Sequence, residues 1–247
     1  MINTEQTKKL LLELKLQGMA ATYESVLGLA SQHQPSAHEL VARLADAEEK
    51  HRTRKREQMY LKLSKLRYDC ILENVHCGPE RNFEKDQLLL LCDCSFIKNG
   101  RNILICGATG CGKSYLACAI GRQACMLGHK TLYFGMLRFI EKIVQTKLDG
   151  TFVKFLDQVN KCNLLILDDF GLSPIDNQAK VALLQILEDR YDNKATVIAS
   201  QLPIDKWYNY LEEPTLADAI IDRLSASANI INLKGPSLRG EKLKENC

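Results

Sequence analysis

The sequence predicts an α/β fold: a parallel sheet built around a phosphate-binding loop, preceded by a small all-α N-terminal domain. Three observations lead there. Residues Gly107-Ala108-Thr109-Gly110-Cys111-Gly112-Lys113-Ser114 fit the pattern G-x-x-x-x-G-K-[ST], the Walker A loop. A second apolar run, Leu164-Leu165-Ile166-Leu167, ends in Asp168 and Asp169, as a Walker B strand does. Residues 1 to about 67 read as helix throughout, whereas strand-length apolar runs alternate with helical segments after residue 101. The expected domains are 1–75, helical, and 76–247, which carries both Walker motifs.

The flanks of the loop support the motif. Asn102 to Cys106 is short and apolar, as a buried parallel strand should be, and Tyr115 to Leu127 has helical length and stops at Gly128. Gly107, Gly110 and Gly112 allow a tight turn that brings backbone N–H groups close to phosphate oxygens. The following helix points its positive end at the same anions. Lys113 is expected to reach the β- and γ-phosphates, and Ser114 to place its hydroxyl on Mg²⁺. Asp168 is expected to hold Mg²⁺ through water, and Asp169 to position or polarise the attacking water.

In chain order, Asn3 with Gln6 and Ser36 with Glu39 resemble capping boxes, and Gly18 reads as a helix stop. The stretch from Glu48 to Gln58 is polar on every side, so it bridges solvent, meets a partner or breaks the helix. It overlaps a basic run, Lys50, Arg52, Arg54, Lys55, Arg56, Lys62, Lys65 and Arg67, which fits either a phosphate-tracking surface or a solvated helix face. Cys70 to Arg81 reads as a connector marked by Gly78-Pro79, and Gln87 to Ile97 as a helix. Phe83 is a candidate for the adenine pocket or, more simply, a local hydrophobic contact. Thr131 to Phe134, Thr196 to Ser200 and Asn229 to Leu233 read as strands. Helices are expected over 137–148, from Thr151, over 181–191 and after Pro214. Gln201, at the end of a strand, is a candidate to contact the γ-phosphate or attacking water, the sensor role. Trp207 and Tyr208 suit packing better than base stacking.

Composition narrows the function. A 46% hydrophobic and 26% charged chain is ordinary for a globular protein, and a net charge of +3 does not by itself imply nucleic acid. No apolar run approaches the ~20 residues needed to span a bilayer, and no signal-peptide core follows Met1, so a cytoplasmic protein with no membrane partner is expected. The cysteines lack the spacing of a simple zinc site. Cys106, Cys118, Cys125 and Cys162 fall in expected core segments, as in a reducing compartment. Cys111, inside the phosphate loop, is expected to be sensitive to alkylation. Asp169-Phe170-Gly171 spells a kinase motif, but no H-R-D loop precedes it. Asn193-Lys194-Ala195-Thr196 lacks the acid of a guanine-reading N-K-x-D, so ATP is expected rather than GTP.

The chain resembles the IstB family, ATP-binding helpers of insertion-sequence transposition that belong to the AAA+ ATPases and are related to the DnaC helicase loaders. The resemblance covers nearly the whole chain. It includes Leu11 to Met19, both Walker motifs, Thr196 to Pro203, Pro214 to Leu224 and Leu233 to Arg239. It implies sheet order 5-1-4-3-2 and a homo-oligomer with ATP sites between subunits. It also implies that the protein binds duplex DNA and recruits or stimulates a transposase. Arg223 matches the arginine finger that completes a neighbour's site, with an ion pair to Asp222 or Glu212 as the structural alternative. Arg239 is a weaker candidate for a sensor arginine. Lys142, Lys147 and Lys154 fall in helices that face DNA in relatives. Asp169 stands where many AAA+ proteins have Glu, which suits slow hydrolysis used as an assembly switch. The competing readings are a DnaC-type replicative helicase loader and, further off, a small-molecule kinase.

Overall fold

In the computed structural model, residues 4–238 are described, and they divide into two compact units, Met1–Met59 and Tyr60–Cys247. The first unit holds α1 (Thr4–Glu13), α2 (Gln17–Leu27) and most of α3 (Ala37–Ser64). Gly18 does not stop a helix. It lies in the first turn of α2, and the break before it falls at Lys15, with φ 59°. A side chain at Gly18 would place its Cβ 2.5 Å from the Ala47 carbonyl, so glycine is what lets α2 approach α3. The adjacent Glu48 is buried and accepts the N–H groups of Gly18 (2.8 Å) and Met19 (3.3 Å), first-turn donors with no partner inside their own helix.

The polar stretch from Glu48 to Gln58 does not break α3, which runs unbroken from Ala37 to Ser64. Pairs one turn apart, Glu39–Arg43, Asp46–Lys50 and Glu48–Arg52, support it. Only half of the Ser36 capping box forms. Ser36 Oγ accepts the Glu39 N–H at 3.3 Å, while the Glu39 carboxylate turns to Arg43. Asn3, half of the other box, lies outside the described residues, as does Arg239.

The division at Met59 falls well before residue 75, because residues 60–75 pack on the second unit. Cys70 and Leu72 are buried in one cluster with Leu116 and Cys118, and the Cys70 thiol donates to the Tyr115 carbonyl at 3.3 Å. Two 3₁₀ turns, Leu72–Asn74 and Pro79–Arg81, lead to α4 (Lys85–Cys92) and α5 (Ser95–Lys98).

The sheet that follows carries β1 (Ile103–Gly107), β2 (Thr131–Gly135), β3 (Leu164–Phe170), β4 (Ala195–Ser200) and β5 (Asn229–Leu233). Its strands are parallel, in the order β2-β3-β4-β1-β5, which is the expected 5-1-4-3-2 read from the other edge. The connections are α6 (Lys113–Met126), α7 (Met136–Leu148), α8 (Phe152–Asn160), α9 (Asn177–Arg190), α10 (Trp207–Leu211) and α11 (Pro214–Ser225). Alternation along β1 sends Leu104 and Cys106 to one core and Ile103 and Ile105 to the other, so both faces are covered. Trp207 is fully buried against Phe170, with ring centroids 4.8 Å apart, and donates to the Leu202 carbonyl, in keeping with packing rather than stacking. Phe83 also lies in the core. Among the described residues the cysteines are free thiols, and no helix is long and apolar enough to cross a membrane.

Candidate functional site

Strand β1 ends at Gly107 and α6 begins at Lys113, so the loop between them sits at the carboxyl edge of a central parallel strand, where such sheets open to ligands. Gly110 has φ 82°, and a side chain there would run into Ser237. Lys113 is buried, and its Nζ donates to the Ala108 carbonyl at 2.8 Å. The ammonium thus rests inside its own loop, where phosphate oxygens are the better acceptors. Cys111 is 1% exposed, which overturns the expectation of a readily alkylated thiol: the loop turns its sulfur inward.

Walker B meets Walker A directly. Ser114 Oγ donates to Asp168 Oδ1 at 3.0 Å. Asp168 is buried and also accepts the Tyr133 hydroxyl at 2.7 Å and the Asp169 N–H at 2.9 Å. Burial, then the charge of Asp168, pushes the Tyr133 phenol well above its usual range, so it stays a donor. At Asp169 the chain takes φ 59° beside the irregularity between β3 and β4, and its carboxylate, unlike the buried Asp168, is only half-buried. Its Oδ2 accepts from Arg67 Nη1 at 3.2 Å. Just past β4, Gln201 Oε1 accepts the Thr109 hydroxyl at 2.8 Å, so the sensor candidate touches the loop.

Thr109, Lys113, Ser114, Asp169 and Gln201 line a cavity of about 590 Å³, together with Asn74, Val75, His76, Arg81 and Leu238. The cavity is large enough for a nucleotide. Ser114 and Asp168 supply adjacent hard oxygen donors, and no cluster of three or more His, Cys, Asp or Glu residues forms elsewhere among the described residues. Such a pair suits Mg²⁺, which takes few protein ligands and completes its shell with phosphates and water.

Arg81 and Tyr133 are the site residues that sequence reasoning missed. Arg81 is 4% exposed, and its guanidinium bridges the carbonyls of Cys111 and Pro236. Nothing local in the sequence marks it: it sits in a Gly-Pro turn that reads as a connector.

Arg223 lies elsewhere. Its carbonyl accepts from Asn102, just before β1 begins, so it sits at the opposite end of that strand from the loop. It pairs with Asp222 (2.6 Å), as one alternative anticipated, and with Glu188 (3.0 Å) rather than Glu212, and it stacks over Tyr191. In the basic run, Lys50 and Arg52 pair within α3 and Arg67 turns to Asp169. Arg54, Lys55, Arg56, Lys62 and Lys65 are exposed and form no ion pair among the described residues. Lys147 is tied to the Gln178 carbonyl and Lys142 to Gln145, while Lys154 is exposed.

Comparison with known proteins gives the same family from sequence and the same fold from structure. The family model described as "IstB-like ATP binding protein" matches residues 9–246. A protein of Sinorhizobium fredii named as an insertion sequence ATP-binding protein, y4pL, is 36% identical over 231 residues, 94% of each chain. The insertion sequence IS1162 ATP-binding protein of Pseudomonas fluorescens is 35% identical over 201 residues, 81% of this chain and 87% of that one. Among solved structures, the DnaC helicase loader superposes with TM-score 0.55 at 18% identity, covering 68% of this chain and 98% of that one. AMPPCP-bound DnaA from Aquifex aeolicus superposes with TM-score 0.59 at 22% identity, covering 73% and 56%. The fold is that of the AAA+ P-loop proteins.

Proposed function

The chain belongs to the IstB-like ATP-binding proteins, and from that premise we propose that it is an ATPase that assembles on duplex DNA when ATP-bound and assists a transposase. The observation that supports ATP chemistry most directly is the 3.0 Å contact between Ser114 and Asp168, which joins the two Walker motifs. Lys113 moves from the Ala108 carbonyl to the phosphates. Gly107 to Gly112, through Ala108, Thr109, Gly110 and Cys111, wrap the triphosphate with backbone N–H groups. Ser114 and Asp168 would hold Mg²⁺, which would neutralise charge on the phosphates. Asp169 orients the attacking water, and Gln201 reads the γ-phosphate from across the loop. Arg223 faces away from its own site and serves that of a neighbouring copy, which makes the active form a homo-oligomer. Hydrolysis is slow and times disassembly. The helices up to Met59 supply the partner-binding region, and the unit from Tyr60 onward the ATPase.

Duplex DNA is favoured by the exposed cations Arg54, Lys55 and Arg56 on α3. A transposase is favoured over a replicative helicase as the partner by the relatives' insertion-sequence names. Particle mass, measured with duplex DNA and with or without a non-hydrolysable ATP analogue, tests the reading. Wild-type protein is expected to form large assemblies only with both, and Lys113→Ala to form none. Tight duplex binding indifferent to nucleotide and to Lys113→Ala would refute it.

A further inference from the structure

The basic run ends at Arg67, and this residue turns to the acid pair. Its Nη1 lies 3.2 Å from Asp169 Oδ2 and 3.9 Å from Asp168 Oδ2. The other groups on Asp168 are neutral: the hydroxyls of Ser114 and Tyr133 and the Asp169 N–H. Lys113, the lysine of the phosphate loop, is directed to the Ala108 carbonyl instead. Among the described residues, Arg67 supplies the only ion pair that either carboxylate makes. Two adjacent carboxylates, one of them buried, repel each other, and a guanidinium within 4 Å of both offsets that repulsion. The Arg67 side chain is 45% exposed, so leaving costs it little desolvation or ion-pair energy.

We propose that Arg67 is a positioning residue that stands in for the metal: its guanidinium neutralises Asp168 and Asp169 before nucleotide arrives, and is displaced when Mg²⁺ takes its place. The inference rests on the Mg²⁺–ATP reading of this site. A guanidinium and a divalent cation that share Asp168 repel each other, so each weakens the other's hold. Arg67 therefore sets the Mg²⁺ concentration at which the site loads, and keeps one oxygen of Asp169 engaged until then.

The test is Mg²⁺ titration of the full chain in the presence of a fluorescent ATP analogue, with binding and not turnover as the readout. Arg67→Ala is expected to lower the half-saturating Mg²⁺ by about 3- to 10-fold, as loss of a competing charge should. Arg67→Gln, which keeps the stem and a donor, is expected to do the same and serves if the alanine variant folds poorly. Arg67→Lys is expected to stay within about twofold of wild type because the charge remains. An unchanged or raised Mg²⁺ requirement in both neutral variants, with wild type still Mg²⁺-dependent, would overturn the role of Arg67 alone. Analogue binding by wild type that ignores Mg²⁺ would overturn the metal reading beneath it, and this inference with it.

Discussion

Arg81 Nη2 donates to the Cys111 carbonyl at 2.5 Å while Nη1 of the same guanidinium donates to the Pro236 carbonyl at 3.1 Å. One buried side chain thus holds the phosphate loop to the segment after β5. Leu238 N–H reinforces the join by donating to the Gly110 carbonyl at 3.0 Å.

Removing that side chain strands two carbonyls and loosens the loop. Arg81→Ala is expected to weaken ATP binding about tenfold, roughly 1.4 kcal/mol, and to lower the Tm. Arg81→Lys should recover only part of this, since an ammonium lacks the planar fork that spans both carbonyls. Equilibrium binding of a fluorescent ATP analogue measures it. Wild-type affinity in Arg81→Ala would mean that the loop keeps its shape unaided.

Asp169 is half-exposed at the cavity edge, whereas Asp168 is buried beneath Ser114. The two acids should therefore separate in their effects. Asp169→Asn is expected to bind ATP with Mg²⁺ about as well as wild type but to hydrolyse it about 100-fold more slowly, the usual scale for a lost general base. Asp168→Asn should raise the Mg²⁺ requirement first. Phosphate release beside analogue binding distinguishes them, and equal loss of binding in both variants would merge the two roles.

Arg223 meets Glu188, Asp222 and the Tyr191 ring, all exposed-surface contacts worth little to stability. Arg223→Ala should consequently fold and bind ATP normally, with a Tm close to wild type. Its hydrolysis is expected to fall about 10³-fold and its DNA-dependent assembly to weaken, the scale of an arginine finger. Full turnover in this variant would return Arg223 to a plain ion pair.

Burial alone would raise the pKa of Glu48, but hydrogen bonds from Arg52 and from the Met19 and Gly18 N–H groups outweigh it and hold the carboxyl below its ordinary value. A carboxyl depressed in the folded state stabilises above its unfolded pKa, near 4.5, and loses that contribution as pH falls through the folded value. Hydrogen exchange over α2, corrected for the intrinsic pH dependence, should show wild type better protected than Glu48→Gln at pH 7. The difference should shrink below about pH 4.5. A gap between the two proteins that persists in acid would assign the effect to packing.

Much of the nucleotide loop was legible because it is contiguous. The spacing of Gly107, Gly110, Gly112, Lys113 and Ser114 encodes a backbone shape, and backbone shape is local. The strands were legible for a similar reason, since their apolar runs are bounded by turn signals. The order of those strands was not: it followed from resemblance, because periodicity says which face is buried and nothing about which neighbour lies beside it. Gly18 was misread as a stop because its reason, the approach of Ala47, lies on another helix.

The sequence by itself determined which groups this protein brings to its site: a glycine-rich loop closed by Lys113 and Ser114, and an acid pair at the end of an apolar strand. Tertiary structure decided how those groups are charged, oriented and restrained. Arg67 reaches Asp169 across 102 positions, Arg81 reaches Cys111 across 30, and Tyr133 reaches Asp168 across 35. Electrostatic and hydrogen-bond energies depend on distance in space, and folding brings together partners that chain order keeps apart.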